Sequence, residues 1–134
     1  MTEEHEIQGA LRANQAFYEA LAGGQSDEME QIWATTTPVI CVHPGGPPLR
    51  GLASILESWR RIAHHPPQIE ISDVQAEIIR GLAAVTCFEH IGETLLAATN
   101  LFVWEENRWA MACHQSGPVQ IPESPSPPAQ GPLH

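Results

Sequence analysis

The second half of the chain contains four apolar segments joined by links of two or three residues, and this pattern limits the folds available to it. The segments span 69–79, 82–91, 95–105 and 108–116. The links contain Arg80-Gly81, Gly92-Glu93 and Glu106-Asn107. Since such links are too short for a crossover, consecutive segments must pair antiparallel as hairpins. The sequence therefore predicts a four-stranded antiparallel meander.

The first half of the chain predicts three helices. Apolar residues recur at helical spacing over 2–22, 27–34 and 51–63. Thr2 can cap the first helix and Gly23 can end it, while Asp27 and Glu30 have capping-box spacing at the second. A short strand over 39–43 precedes a proline- and glycine-rich loop. Helices followed by a meander are typical of an α+β fold.

Two of the predicted strands are apolar on both faces. In 82–91, apolar residues occupy both alternating sets, which are Val85 and Cys87 on one face and Ala84 and Phe88 on the other. A sheet covered on one face only is expected to alternate apolar with polar residues. The helices can cover one face, and no further predicted element remains for the other. We therefore expect a homodimer in which a second copy covers that face.

Composition limits the partners. The chain has 134 residues, with six arginines, no lysine and sixteen acidic residues, for a net charge of −10. We expect no nucleic-acid binding, because such binding relies on cations that neutralise phosphates. No apolar run approaches the ~20 residues of a membrane helix, so we expect no membrane partner and a cytoplasmic location. Cys41, Cys87 and Cys113 lack paired spacing and are expected to be buried thiols.

The predicted elements define the domain boundaries. A chain of this length is expected to form one domain, and residues 1–119 contain every predicted helix and strand. Residues 120–134 are rich in proline and are predicted to be a disordered tail.

Four sequence segments together resemble the SnoaL-like branch of the nuclear transport factor 2-like (ketosteroid isomerase-like) superfamily. They are CVHPGG…LRG…SW over 41–59, AAVTCFEHI over 83–91, AATNLFVWEENRWAM over 97–111 and CHQSGPV over 113–119. The resemblance implies a cone-shaped fold, also called cystatin-like. In it a curved, mostly antiparallel sheet wraps around N-terminal helices and a pocket lies at the open end. Some members are isomerases or cyclases that use pocket acids and bases, and others only bind or assemble.

Four polar residues within or beside predicted strands are candidates for catalysis. His43 and His114 could take and return a proton, because histidine titrates near neutrality. Glu89 lies between apolar neighbours, where a buried carboxylate could act as a general base or acid. Asn100 could donate a hydrogen bond to a developing oxygen charge. The alternative for each residue is a structural hydrogen bond.

Aromatic residues on apolar faces are candidates for ligand binding. They are Tyr18, Trp33, Trp59 and Trp109, which could wall a pocket for a small apolar molecule or pack in the core. Histidines with the close spacing of a metal site are missing, and no nucleotide fingerprint occurs, so we expect neither a metal nor a cofactor.

Two hypotheses on function follow. The first is a protein that binds a small molecule. Acid–base residues in its pocket could isomerise, cyclise or dehydrate an apolar substrate. The second is a non-catalytic dimeric module for binding or assembly.

Overall fold

The structure is a computed structural model that describes residues 2–120. Within these residues, three helices and six strands follow one another. They are α1 (Glu3–Ala22), α2 (Ser26–Ile32), β1 (Ile40–Val42), β2 (Leu49–Arg50), α3 (Leu52–Ala63), β3 (Ile69–Ile79), β4 (Leu82–Ile91), β5 (Thr94–Glu105) and β6 (Arg108–Pro118). The predicted helices and long strands are present, so the α+β fold is confirmed. Of the predicted tail, residues 121–134 lie outside the described residues.

All six strands form one mixed sheet with the order β2-β1-β6-β5-β4-β3. The predicted meander is confirmed, because β3 to β6 pair antiparallel through successive hairpins. The strand predicted over 39–43 is present as β1, but the sequence did not predict β2 or the pairing of β1. This strand pairs parallel with β6 and antiparallel with the two-residue β2. Strands of three and two residues leave little periodic signal.

The helix ends follow local chemistry, with one exception. The side chain of Thr2 accepts a hydrogen bond from the backbone N–H of His5 at 3.2 Å, which caps α1 as predicted. The capping prediction for α2 is wrong. Its N-cap is Gln25, whose side chain makes no capping hydrogen bond, and Asp27 lies inside the first turn. The helix begins at Ser26, one residue earlier than predicted, after a turn in which Gly24 has a φ of 64°.

The core lies between α1 and the face of the sheet that we call the inner face. Alternate residues of β4 point inward and are buried, among them Val85 and Cys87. On the opposite, outer face, Phe88, Leu101 and Val103 are only half-buried. A single copy of the chain thus leaves an apolar sheet face partly open. Within residues 2–120, no helix is both long enough and apolar enough to cross a membrane.

Candidate functional site

A group of buried polar side chains lies where α1 crosses the inner face of the sheet. We call it the polar cluster, and it consists of Asn14, Tyr18, Glu89, Asn100, His114 and Ser116. Each member is at most 4% exposed. Strand register brings Asn100 directly opposite His114. Asn14 and Tyr18 are one helical turn apart on α1, so both point down onto the sheet from the same helix face.

The carboxylate of Glu89 accepts two hydrogen bonds from hydroxyl groups. The phenol of Tyr18 donates to Oε2 at 2.5 Å, and the hydroxyl of Ser116 donates to Oε1 at 2.6 Å. Among the described residues, no salt bridge reaches Glu89. A buried carboxylate without a cation depends on such donors, because water no longer solvates it.

Tyr18 connects the carboxylate to the rest of the cluster. Its oxygen also accepts hydrogen bonds from Asn100 Nδ2 at 3.1 Å and from the thiol of Cys87 at 3.4 Å. Burial raises the pKa of Tyr18 well above its usual value, and the neighbouring charge of Glu89 raises it further. The phenol therefore keeps its proton and acts as a hydrogen-bond donor.

Asn100 lies at the centre of the polar cluster. Its Nδ2 donates to Asn14 Oδ1 at 2.8 Å as well as to Tyr18, and its Oδ1 lies 2.6 Å from His114 Nδ1. Both ends of the amide are thus used. Asn14 Nδ2, in contrast, is buried without a hydrogen-bond partner among the described residues.

His114 is enclosed by aromatic rings. Its ring centre lies 4.8 Å from that of Phe17 and 5.6 Å from that of Trp59. Burial lowers the pKa of His114 to about 3, and the nearby His43 contributes to the shift. The imidazole is therefore neutral at physiological pH.

His43 stands apart from the polar cluster. Its Nε2 lies 2.9 Å from the hydroxyl of Ser58, and its ring packs edge-on against Trp59 with 4.7 Å between centres. Burial lowers the pKa of His43, with a further contribution from the positive charge of Arg61. Within the described residues, His43 makes no hydrogen bond to a member of the cluster.

The predicted ligand-binding aromatics are dispersed. Trp33 is fully buried in the core. Trp59 borders a cavity of about 10 Å³, which is room for roughly one water molecule. Trp109 packs against Gly9 and Trp104 at the other end of α1. Only Tyr18 of the four belongs to the polar cluster.

Tyr18 is also the link to a larger cavity. Between α1 and β3 lies a cavity of about 350 Å³ whose lining consists of Gln15, Tyr18, Glu19, Ala22, Ile69, Glu70 and Ile71. A neighbouring cavity of about 630 Å³ shares Ala22, Ile69 and Glu70 with it. Glu19 and Glu70 are exposed, and among the described residues no cationic side chain contributes to the lining of the smaller cavity.

Sequence reasoning named four of the six residues of this cluster, with Tyr18 as a ligand-binding candidate. Glu89, Asn100 and His114 are brought together as neighbours, but Asn14 and Ser116 were missed. Asn14 could have been found, because it is a polar residue in the apolar stripe of α1. Among the described residues, no group of three or more metal-ligating side chains occurs.

The geometry defines a small α+β domain with a buried carboxylate beside a tyrosine and a neutral histidine. The family model for the SnoaL-like domain matches residues 11–120, and the chain belongs to that family. Its fold is the nuclear transport factor 2-like (cystatin-like) fold.

Solved structures agree with this assignment. A nuclear transport factor 2-like protein of Streptomyces avermitilis, proposed to be a dehydratase, is 29% identical with a TM-score of 0.82, over 90% of this chain and 100% of its own. A proposed calcium/calmodulin-dependent protein kinase type II association domain of Thiobacillus denitrificans ATCC 25259 is 28% identical with a TM-score of 0.68, over 81% and 93%. A proposed ketosteroid isomerase of Parabacteroides distasonis ATCC 8503 shares the fold at 15% identity and a TM-score of 0.65, over 79% and 84%.

A similarity to a longer plant protein also exists. The F-box protein SKIP8 of Arabidopsis thaliana is 22% identical over 115 residues, which are 83% of this chain and 50% of that protein. The chain thus spans about half the length of this curated relative.

Proposed function

We propose that this protein binds a small, largely apolar molecule and catalyses a proton transfer of the isomerase, cyclase or dehydratase kind. Glu89 is the general base in this proposal, and Tyr18, whose phenol donates a hydrogen bond to the carboxylate, holds that carboxylate in place. The observation that carries the proposal is the buried carboxylate of Glu89, which two hydroxyl groups hold and which forms no salt bridge within residues 2–120. A general base must lie in a fixed position within reach of the proton that it takes, and these two hydrogen bonds fix the position of the carboxylate.

The cavity between α1 and β3 supports this assignment. Tyr18 belongs both to its lining and to the polar cluster, so a ligand in the cavity would meet the phenol beside Glu89. The lining is otherwise composed of aliphatic, amide and acidic side chains. Such a surface favours uncharged ligands over carboxylates and phosphates, because the acidic residues repel anions.

The experiment is exchange of α-protons for deuterium in uncharged cyclic ketones and β-hydroxyketones, followed by proton NMR in heavy water. We expect the wild-type protein to accelerate exchange of at least one of these ketones. Glu89→Gln should reduce that rate by at least about a hundredfold, the typical contribution of a general base. Exchange needs only abstraction and return of a proton, so it tests the base without requiring the natural reaction.

Glu77→Gln is the matched control, because Glu77 is an exposed glutamate of β3 that does not contribute to either cavity. Its rate should equal that of the wild type. Equal rates for the wild type and Glu89→Gln would contradict the assignment of the base. No acceleration of any ketone by the wild-type protein would count against catalysis and favour the second function below.

The second candidate function is a non-catalytic dimeric module for binding or assembly. Two observations favour it. The polar cluster is tightly filled, with Glu89 only 3% exposed. The similarity to a proposed kinase association domain extends over 81% of this chain. In this case the polar cluster fixes the packing of α1 on the sheet and performs no chemistry.

Assembly and location are part of the proposal. A second copy would cover the half-buried apolar residues on the outer face of the sheet, giving a homodimer. We place the protein in the cytoplasm, and the support is that Cys41, Cys87 and Cys113 are free thiols, as is usual in reducing compartments.

A further inference from the structure

The order of donors and acceptors in the polar cluster can be followed from His114 through Asn100 and Tyr18 to Glu89. Oδ1 of Asn100 can only accept, so the 2.6 Å contact with His114 requires the proton on Nδ1 of the imidazole. Nδ2 of Asn100 has two protons, and both are used, toward Asn14 and Tyr18. The single proton of the Tyr18 hydroxyl is then free to bond Glu89, which accepts as a carboxylate.

Rotating the amide of Asn100 would reverse this order. With the amide of Asn14 in its present orientation, the oxygen of Asn100 would then face the oxygen of Asn14, an unfavourable contact of two acceptors. It would also face Tyr18, whose proton would have to turn away from Glu89, so the carboxyl group would need a proton of its own. Nδ1 of His114 would have to accept, which moves its proton to Nε2. The tautomer of His114 is thereby coupled to the direction of the hydrogen bond at Glu89.

His114 cannot exchange a proton with Glu89 along this path. The carboxamide of Asn100 stands between them, and an amide donates and accepts hydrogen bonds while keeping its own protons at neutral pH. A role for His114 in the chemistry of Glu89 must therefore be exerted through geometry.

We infer that His114 is a positioning residue, which acts from the far end of the polar cluster. Its Nδ1–H holds the amide of Asn100 in the orientation that leaves the Tyr18 proton to Glu89. The inference rests on the proposed function only in giving Glu89 the role of base. The geometric claim concerns His114 and Asn100 alone.

Nitrogen-15 NMR of the full chain tests this without any ligand. The ring signals of His114 are those that the wild type shows and His114→Asn lacks. They should be those of a neutral imidazole protonated at Nδ1. The second readout is the side-chain amide of Asn100, identified by its loss in Asn100→Asp. Its protons should be protected from exchange with solvent, because both are buried and bonded.

Two variants of His114 form a matched pair. The amide nitrogen of asparagine can occupy the place of Nδ1, whereas that of glutamine reaches the place of Nε2. His114→Asn should therefore keep the Asn100 protons protected. His114→Gln should release them, with exchange about tenfold faster, the ratio expected for loss of one buried hydrogen bond.

A wild-type imidazole protonated at Nε2, or charged at neutral pH, would overturn the inference, and so would equal protection of Asn100 in the two variants. Either variant of His114 identifies its ring signals by their loss, so the wild-type measurement decides the matter even where one of the two fails to fold. Since no reaction is involved, failure of the ketone exchange experiment would leave this result unaffected.

Discussion

The phenol of Tyr18 and the carboxylate of Glu89 lie 2.5 Å apart inside the core, although 71 residues separate them in the chain. One comes from the helix and the other from a central strand of the sheet, so the contact exists only in the folded domain. The pair has two consequences. It ties α1 to the sheet, and it places a proton donor against a buried carboxylate beside a cavity.

Alkaline titration should reveal Tyr18 directly, because it is the only tyrosine of the chain. Its raised pKa means that the folded state keeps the phenol proton while the unfolded state loses it above a pH of 10.0. The contribution of Tyr18 to the stability of the fold is therefore complete below that pH and decreases as the pH rises further. Ultraviolet absorbance should show tyrosinate only together with unfolding, monitored by circular dichroism.

Two variants control this measurement. Tyr18→Phe should show no tyrosinate signal at any pH. Glu89→Gln should allow ionisation at lower pH than the wild type, because the charge of Glu89 contributes to the shift. Tyrosinate formation near a pH of 10.0 in the folded wild type would show that the phenol is not buried against Glu89.

The residues of the site that the sequence predicts are positioned by strand register, and those that it misses depend on how α1 packs on the sheet. Glu89, Asn100 and His114 interrupt apolar strands, and buried polar groups need partners, so the sequence points to them. That they share one cluster follows from strand register, which hairpin links of two residues largely determine for β5 and β6. Which residues α1 adds depends on how the helix lies across the sheet, and no local pattern specifies that angle.

The sequence also could not tell whether the aromatic residues line a pocket. Trp33, Trp59 and Trp109 lie on apolar faces, as the sequence predicts, but burial on a face does not distinguish a pocket wall from a packed core. The parallel pairing of β1 with β6 was likewise out of reach, because it joins segments about seventy residues apart through only three register pairs.

Acidification should destabilise the protein through His114. The lowered pKa means that the unfolded state binds a proton below a pH of 6.5, whereas the folded state binds it only near 3. Stability is thus lost as the pH falls below 6.5, by up to about 1.4 kcal/mol per pH unit. Urea unfolding between pH 6.5 and 4.5 should show this slope.

His114→Asn should flatten the slope, leaving the smaller contribution of His43, whose pKa is also lowered. The exposed His5 provides the control, and His5→Asn should keep the wild-type slope. An unchanged slope in His114→Asn would mean that its imidazole is not held neutral.

We expect Glu105 to be the residue that chiefly holds the segment after α2 against β5. Its carboxylate accepts backbone N–H groups of Thr35 and Thr36 at 2.8 and 3.2 Å, and hydroxyls of Thr36 and Thr37 at 2.8 Å each. Burial alone would raise its pKa, but these hydrogen bonds outweigh it and hold the pKa of Glu105 at about 2. Glu105→Gln should cost about 2 kcal/mol of unfolding free energy at neutral pH.

The effect of Glu105→Gln should depend on pH. The stability contributed by the ionised carboxylate is present above 4.5 and is lost as the pH falls toward 2. The difference between wild type and variant should shrink over that window. Glu106→Gln is the control, because Glu106 is exposed and accepts a single bond from Thr35. Equal losses in both variants would contradict the role given to Glu105.

We expect that only glycine fits at position 9 of α1, because Trp109 packs closely against it there. A Cβ atom at Gly9 would lie 2.7 Å from Cδ1 and 2.8 Å from Nε1 of the indole. Alanine improves helix propensity by about 1 kcal/mol, but the overlap forces the buried ring to move, at a cost of roughly 1–3 kcal/mol. Gly9→Ala should therefore lower the melting temperature, and adding Trp109→Leu should make the alanine favourable. Stabilisation by Gly9→Ala alone would show that the helix and the indole are not in close contact.

The outer face of the sheet should determine the oligomeric state. Leu101 and Val103 are half-buried there in a single chain, and covering them with a second copy gains roughly 25 cal/mol for each Å² of apolar surface removed from water. Light scattering should give twice the 14.7 kDa of one chain. Leu101→Asp should yield a folded monomer, because a charge would be buried without a partner in the dimer. Val74→Asp, at an exposed position of the edge strand β3, is the control and should remain dimeric. A wild-type mass near 14.7 kDa would contradict the homodimer.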